Sequence, residues 1–247
     1  MNEVRERTFG LEAAIAVMRA RPDEVRRVAY HPDLGPRLSP MLRELAARRV
    51  AYSEKDDGEL RAIAGSTHHE GVVVEARERE VLRDREIVDR FGVDRGPLRL
   101  VALDGVENPH NVGAIVRTAA FLGAHGVIVH ANVEHPFGPA AIRVAEGGAE
   151  HVTLGRVDDL AALCRELADH GIAIVGTDAS SADDARTFSY PRRALIVLGS
   201  EAAGVSVGVR RTLTHTVGVR GSGAIDSLNV SVAAGIVIGA ATRGPSR

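Results

Sequence analysis

Three short polar islands in this 247-residue chain carry side chains that can do chemistry. The first runs from Asn111 to Arg117. The second is Gly199-Ser200-Glu201-Ala202-Ala203-Gly204, and the third is Ser227-Leu228-Asn229, set directly against Val230-Ser231-Val232-Ala233-Ala234-Gly235. The third reads as a helix N-terminus built for a ligand, with cap-type side chains and unpaired backbone N–H groups ahead of small and branched residues that pack tightly. In the first, Asn111 can cap a helix, and Arg117 lies nearly two turns further in among the apolar Val116, Ala119 and Ala120. An arginine fork suits phosphate and stacks on bases. Other chemistries fit less well. Cys164 is the only cysteine, so an intramolecular disulfide and a cysteine-rich metal site are both excluded. Leu160, Leu163, Cys164 and Leu167 share one helical face, which makes Cys164 a core thiol rather than a nucleophile. No Ser-His-acid arrangement stands out. His68-His69-Glu70 invites a metal reading, but neighbours along a strand point to opposite faces, so no metal is expected.

The elements that must position these residues fall into two groups. Residues 1–76 alternate helix and strand: helix 11–20 stopped by Arg21-Pro22, strand 25–30, helix 40–49, an extended 50–53, helix 56–64 and strand 71–76. That is a small α/β domain with its own apolar faces. In residues 77–96, Arg77-Glu78-Arg79-Glu80 and Arg83-Asp84-Arg85-Glu86 alternate in sign, which reads as a solvated, partly helical linker closed by Gly96-Pro97. From 97 to 247 the alternation resumes, with strands at 98–103, 126–130, 151–154, 172–176, 194–198 and 213–219. Helices are expected at 111–122, 137–146, 157–170 and 227–241. Continuous apolar strands separated by helices predict a parallel sheet covered on both faces. A dinucleotide-binding reading of that sheet fails, because no strand leads into G-x-G-x-x-G; the second island has the wrong spacing and an acid where a pyrophosphate would sit. The polar islands instead follow strands, at the end where open α/β sheets bind ligands.

Composition narrows the class further. Hydrophobic residues make up 45% of the chain, enough for a real core, and no apolar run is long enough to span a bilayer. The charged start Met1-Asn2-Glu3-Val4-Arg5-Glu6-Arg7 leads into no signal-peptide core, which predicts a cytoplasmic protein. A formal net charge of −2 argues against nucleic-acid binding by bulk charge, though not against local recognition. Lys55 is the only lysine, so nearly every cation is an arginine.

Taken in order, Asn111 with Arg117-Thr118-Ala119, Leu198-Gly199-Ser200-Glu201-Ala202-Ala203-Gly204 and Ser227-Leu228-Asn229-Val230-Ser231 resemble the three motifs of the SpoU/TrmH-type (SPOUT superfamily) RNA ribose 2′-O-methyltransferases. The resemblance covers residues 98 to the end. Phe9-Gly10-Leu11-Glu12-Ala13-Ala14 and Thr67-His68-His69-Glu70-Gly71-Val72 resemble the start and end of the small RNA-binding domain that many members carry, with Glu70 where the family usually has glutamine. The resemblance implies a deep trefoil knot, S-adenosylmethionine as cofactor, and a homodimer with the active site at the interface. It implies cofactor contacts at Gly199, Val219 and Leu228, and Thr177 is a further candidate wall of that pocket. Arg220 stands where the family usually places a proline. Arg117 matches the family's essential arginine; gripping a phosphate and orienting the hydroxyl suits a guanidinium better than acting as general base, since it resists deprotonation. Asn111 and Asn229 would position the ribose or the arginine, Ser227 would offer a hydroxyl at the pocket edge, and Glu201 would orient Arg117 or Asn229. The expected activity is S-adenosylmethionine-dependent ribose 2′-O-methylation of structured RNA, rRNA ahead of tRNA, with a shallow salt dependence of binding. The alternative is an RNA-binding module of the same fold that no longer methylates.

Overall fold

A computed structural model describes residues 4–130, 135–225 and 227–243 of the chain. Met1, Asn2 and Glu3 of the charged start, and Asp226 beside the third motif, lie outside the described residues. The chain divides into two compact units, Met1–Glu80 with Phe137–His151 and Val81–Pro136 with Val152–Arg247.

The first unit is built on a four-stranded sheet of order β1-β4-β2-β3, with β1 (Arg5–Phe9), β2 (Val25–Tyr30), β3 (Ala51–Glu54) and β4 (Val72–Arg77). Helices α1 (Leu11–Ala20) and α2 (Gly35–Ala47) cover one face, burying Ala14, Val17, Met18, Leu38, Leu42 and Leu45 against Val28, Val72 and Val74. Helix α3 (Asp57–Ala64) covers part of the other face, setting Leu60 on Phe9, Ala29 and Val73. Its start is fixed by a reciprocal capping box, Asp56 accepting from the Glu59 amide at 2.8 Å while Glu59 accepts from the Asp56 amide at 3.2 Å. The helix expected from Pro40 begins five residues earlier, at Gly35, since Pro36 sits in the first turn where its missing N–H costs nothing. His69 is buried and accepts from the Gly71 amide, whereas His68 is exposed. Glu70 accepts from the Leu11 amide at 3.0 Å, placing a carboxylate at the positive end of α1.

Strand β1 was not read from the sequence, nor was the buried fate of Arg79. The Arg79 side chain, 7% exposed, pairs with Glu6 at 2.8 Å and with Glu150 at 2.9 Å; Arg21 reaches the same two carboxylates at 2.6 and 2.7 Å. Burial opposes the charge on Arg21, but Glu150 and Glu6 more than offset it and raise its pKa. Glu150 belongs to the short segment containing α6 (Pro139–Val144), so this four-charge cluster ties that segment to the sheet. Residues 77–96 are therefore not a solvated connector. Beyond Arg79, they form β5 (Leu82–Arg83) and α4 (Asp84–Gly92), whose Leu82, Ile87, Val88 and Phe91 are buried in the core of the second unit.

The second unit holds a fully parallel seven-stranded sheet of order β11-β9-β10-β6-β7-β8-β5, made by β6 (Leu98–Asp104), β7 (Gly126–His130), β8 (Thr153–Val157), β9 (Ala173–Thr177), β10 (Arg193–Gly199) and β11 (His215–Val217) with β5 at the edge. Every residue of β10 is buried, as an apolar run in the middle of a doubly covered sheet requires. Helices α4, α7 (Leu160–Asp169) and the single turn α8 (Val207–Arg210) line one face. Helices α5 (Pro109–Phe121) and α9 (Val230–Thr242) pack on each other and on β6, β7 and β10 from the other. Cys164 faces the α7 core as its spacing predicts, and burial pushes its thiol up to about 11.

Candidate active site

The candidate residues collect where the strands end. Strand β6 closes on Asp104, which is 3% exposed yet fully engaged: its Oδ2 accepts from the Ser206 amide at 2.7 Å, and its Oδ1 lies 3.2 Å from His130 Nδ1 at the end of β7. Asp104 thereby anchors the loop that leaves β10. That loop turns back at once. The Gly204 amide donates to the Ser200 carbonyl at 2.8 Å, and a Cβ on Gly199 would fall 2.1 Å from the Gly204 carbonyl carbon. Only glycine fits at 199, and Gly204, with φ 64°, takes the left-handed backbone that closes the turn. Asp104 carries no motif signature; its sequence signal is a lone acid ending the apolar run Leu100-Val101-Ala102-Leu103.

This turn presents Glu201 to the start of α9. Asn229 is the N-cap: its Oδ1 accepts from the Ser231 amide at 2.9 Å and from the Ser231 hydroxyl at 2.5 Å. Its Nδ2 donates to Glu201 Oε1 at 2.8 Å and to Asn111 Oδ1 at 3.1 Å. Glu201 Oε1 also accepts from the Val230 amide at 3.1 Å, so a carboxylate sits on the positive end of α9. An amide side chain has two donors and two acceptor positions. All four of Asn229 are used inside the protein. Within this network, the groups left without a partner among the described residues are Asn111 Nδ2 and Glu201 Oε2.

Asn111 does not cap α5. Asn108 does, accepting from the His110 amide at 2.9 Å, and Pro109 starts the helix, so Asn111 lies in its first turn and points at Asn229. Arg117 is exposed, six residues further on, which is roughly 240° around the helix and about 9 Å along it. Asn111 and Arg117 therefore occupy different faces of α5. Ser227 is exposed ahead of the cap.

Three of the four residues expected at the cofactor fall at the same end of three neighbouring strands. Thr177 ends β9, donating its hydroxyl to the Val197 carbonyl at 3.2 Å. Gly199 ends β10, Val219 follows β11, and Leu228, 38% exposed, precedes the cap. The chain here is pinned by the Asp178 amide donating to Val217 and the Gly218 amide donating to Asp183, at 2.9 and 2.8 Å. The Arg220 guanidinium donates to the Ala182 carbonyl, so the residue standing in place of the family's proline holds this loop through its side chain. Val219 is half-buried, while Leu228 and Ile225 offer exposed apolar surface. Such a set suits a ligand with a flat heteroaromatic part and polar edges, which S-adenosylmethionine has.

Comparison with known proteins bears on what this site does. The SpoU rRNA Methylase family matches residues 98–239, and the RNA 2′-O ribose methyltransferase substrate-binding family matches residues 8–82. The 23S rRNA (guanosine-2′-O-)-methyltransferase RlmB of Vibrio vulnificus is 33% identical over 236 residues, covering 95% of either chain. The uncharacterized tRNA/rRNA methyltransferase YfiF of Escherichia coli O157:H7 is 33% identical over 94% of this chain and 66% of its own length. Among solved structures, the SpoU methyltransferase AviRb of Streptomyces viridochromogenes in complex with AdoMet shares the fold, with a TM-score of 0.80 at 23% identity over 96% of this chain and 89% of that one. The family uses S-adenosylmethionine to methylate RNA at the ribose 2′-oxygen. With its catalytic and substrate-binding regions both matched, this chain is a member of the SpoU family of RNA 2′-O-ribose methyltransferases.

Proposed function

We propose that the chain methylates the 2′-oxygen of a guanosine ribose in 23S ribosomal RNA. The observation that carries this reading is the closed network of Asn111, Asn229 and Glu201 at the start of α9, which leaves the Asn111 amide nitrogen and one Glu201 oxygen without a partner among the described residues. Relatives bearing that activity match both units of the chain, at 33% identity in Vibrio vulnificus and 35% in Ralstonia nicotianae.

Bound S-adenosylmethionine supplies a sulfonium-activated methyl group. Thr177, Gly199, Val219 and Leu228 would hold it. The chain must place a ribose hydroxyl in line with that methyl and take the hydroxyl proton away. Asn111 Nδ2 donates to the 2′-oxygen and sets its position. Glu201 Oε2 accepts the 2′-hydroxyl hydrogen and would receive the proton as the methyl passes to the oxygen, its bond to the sulfonium sulfur breaking to leave a neutral thioether. Arg117 grips the adjoining phosphate through paired charge-assisted bonds. Asn229 touches neither reactant; it fixes the two groups that do. Ser227 lines the edge of the same mouth.

Met1–Glu80 with Phe137–His151 serve as the RNA-binding unit and Val81–Pro136 with Val152–Arg247 as the catalytic unit, whose C-terminal segment we infer to be threaded into a trefoil knot. The enzyme works as a cytoplasmic homodimer. Phe121 and Val232, 87% and 52% exposed on the adjoining helices α5 and α9, are the apolar residues a partner would cover. Phe121 lies one turn beyond Arg117 on the same face of α5, so pairing there would bring Arg117 to the interface. The described residues include no helix long and apolar enough to cross a membrane.

The test is nucleoside mass spectrometry of 23S rRNA incubated with the protein and S-adenosylmethionine, beside Arg117→Ala. New 2′-O-methylguanosine that is lost in the variant is the expected result. Cofactor binding without methylation of any RNA class would point to a binding module instead.

A further inference from the structure

The sheet of the first unit is covered unequally, and its open part is basic. On the α3 side, β1 presents Arg5, Arg7 and Phe9, β4 presents Val73, Glu75 and Arg77, and β2 presents Arg27 and Ala29, because alternate residues of a strand share a face. Helix α3 covers only the Phe9, Val73 and Ala29 end, through Leu60, Ile63 and Ala64. Beyond it, Arg7, Glu75 and Arg27 lie side by side across three strands, and on the next rung Arg5 faces Arg77 directly. Arg5, Arg7, Arg27 and Arg77 are all exposed, and the one carboxylate among them, Glu75, lies 3.5 Å from Arg7. Arg5, Arg27 and Arg77 have no side-chain ion pair among the described residues. Arg7 also donates to the Ile63 carbonyl in the last turn of α3, where Arg61 lines a cleft of about 600 Å³ with Gly58, Gly65, Ser66 and Thr67.

Like charges directly opposed on neighbouring strands destabilise a sheet. Four arginines gathered on one half-open face, in a chain of net charge −2, call for an anionic occupant. We propose that this face of the β1-β4-β2 sheet is where the first unit holds the RNA phosphate backbone, with Arg5, Arg7, Arg27 and Arg77 as the phosphate ligands. The proposal rests on RNA being the substrate. It names the face and the residues, and it assigns them positioning rather than sequence readout, since phosphate contacts carry no base information.

The test uses the native protein first. Arginines are modified with phenylglyoxal with and without deproteinised 23S rRNA, and the sites are read by peptide mass spectrometry. RNA should protect Arg5, Arg27 and Arg77 but leave Arg19 and Arg43, exposed on α1 and α2 of the opposite layer, reactive. The second arm is Arg5→Ser/Arg77→Ser beside the control Arg19→Ser/Arg43→Ser, measured by filter binding across a salt series. Each lost phosphate contact removes a slope of about 0.7, or roughly fourfold in affinity at physiological salt, so the double variant should bind roughly 15-fold more weakly. Its melting temperature should hold or rise, because a like-charge pair has been removed. Unprotected patch arginines, protection spread equally over Arg19 and Arg43, or unchanged affinity in the double variant would overturn the proposal. If 23S rRNA is bound here but never methylated, the proposed reaction fails and this surface stands.

Discussion

Replacing Glu201 with glutamine separates the structural share of this residue from its chemical share. The substitution keeps a carbonyl oxygen to accept from Asn229 Nδ2 and the Val230 amide, the 2.8 and 3.1 Å bonds of the native site. What is lost is the charge in those bonds, about 1 kcal/mol for each on the difference between charged and neutral acceptors. Glu201 is exposed, so screening by water cuts that total to about 1 kcal/mol. For a protein of this length the melting temperature should fall by about 2–4 °C. The other oxygen, by contrast, becomes an amide donor and can take no proton. Removing a positioned proton acceptor costs about 10²–10⁴ in rate. The expected signature of Glu201→Gln is therefore a kcat reduced about 10³-fold, with cofactor affinity and RNA affinity close to native. Tritium transfer from labelled S-adenosylmethionine gives the rate, calorimetry the cofactor affinity, and filter binding the RNA affinity. A kcat within tenfold of native would refute the assignment of Glu201 Oε2 as proton acceptor. Parallel collapse of rate, cofactor binding and melting temperature would show that Glu201 only holds α9 in place.

Arg117→Lys keeps the charge but loses the two-pronged grip, and kcat/KM for RNA should fall about 10–100-fold; near-native turnover would make Arg117 a simple point charge. Glu150→Ala leaves Arg21 and Arg79 largely buried with Glu6 shared between them and the more exposed Glu24 on Arg21 alone, and should cost about 3–5 kcal/mol in urea unfolding; a loss under about 1 kcal/mol would mean water reaches the cluster. Because burial pushes the Cys164 thiol up to about 11, the thiolate is scarce at neutral pH, and iodoacetamide should label it only after unfolding or well above pH 10; rapid labelling of the native protein at pH 7.5 would contradict its placement on the α7 core.

Much of the second unit was legible in sequence because a parallel sheet imposes a local signature, seen in the apolar runs of β6, β7, β9 and β10, each flanked by helical periodicity. Strand β1 was not, because three of its five residues are charged: Arg5 and Arg7 project onto an exposed face, and Glu6 is answered by Arg21 and Arg79. Alternating charge across 77–80 reads as solvated for the same reason. Only Arg79 of that run is buried, and its burial depends on Glu150, 71 residues distant, a partner that no local pattern announces. At the site, the three motifs single out Asn111, Glu201 and Asn229 as candidates by type, but that they bond to one another is visible only in the structure. The cap at Asn108 rather than Asn111 was hidden by two asparagines within four residues, and Pro109 between them is the local clue that decides it. Asp104 escaped notice because an acid ending a strand is ordinary in sequence and becomes informative only once Ser206 and His130 are seen to share it.

The segment carrying Glu150 has a practical meaning for anyone exchanging the substrate-binding unit between relatives of this enzyme. A chimera cut after residue 80 would transplant β1 to β4 while leaving behind the carboxylate that neutralises Arg21 and Arg79. The natural unit of exchange is discontinuous, the first 80 residues together with Phe137–His151. The two pieces should also drift as one, a change of sign at Glu150 tolerated only alongside matching changes at Arg21 or Arg79.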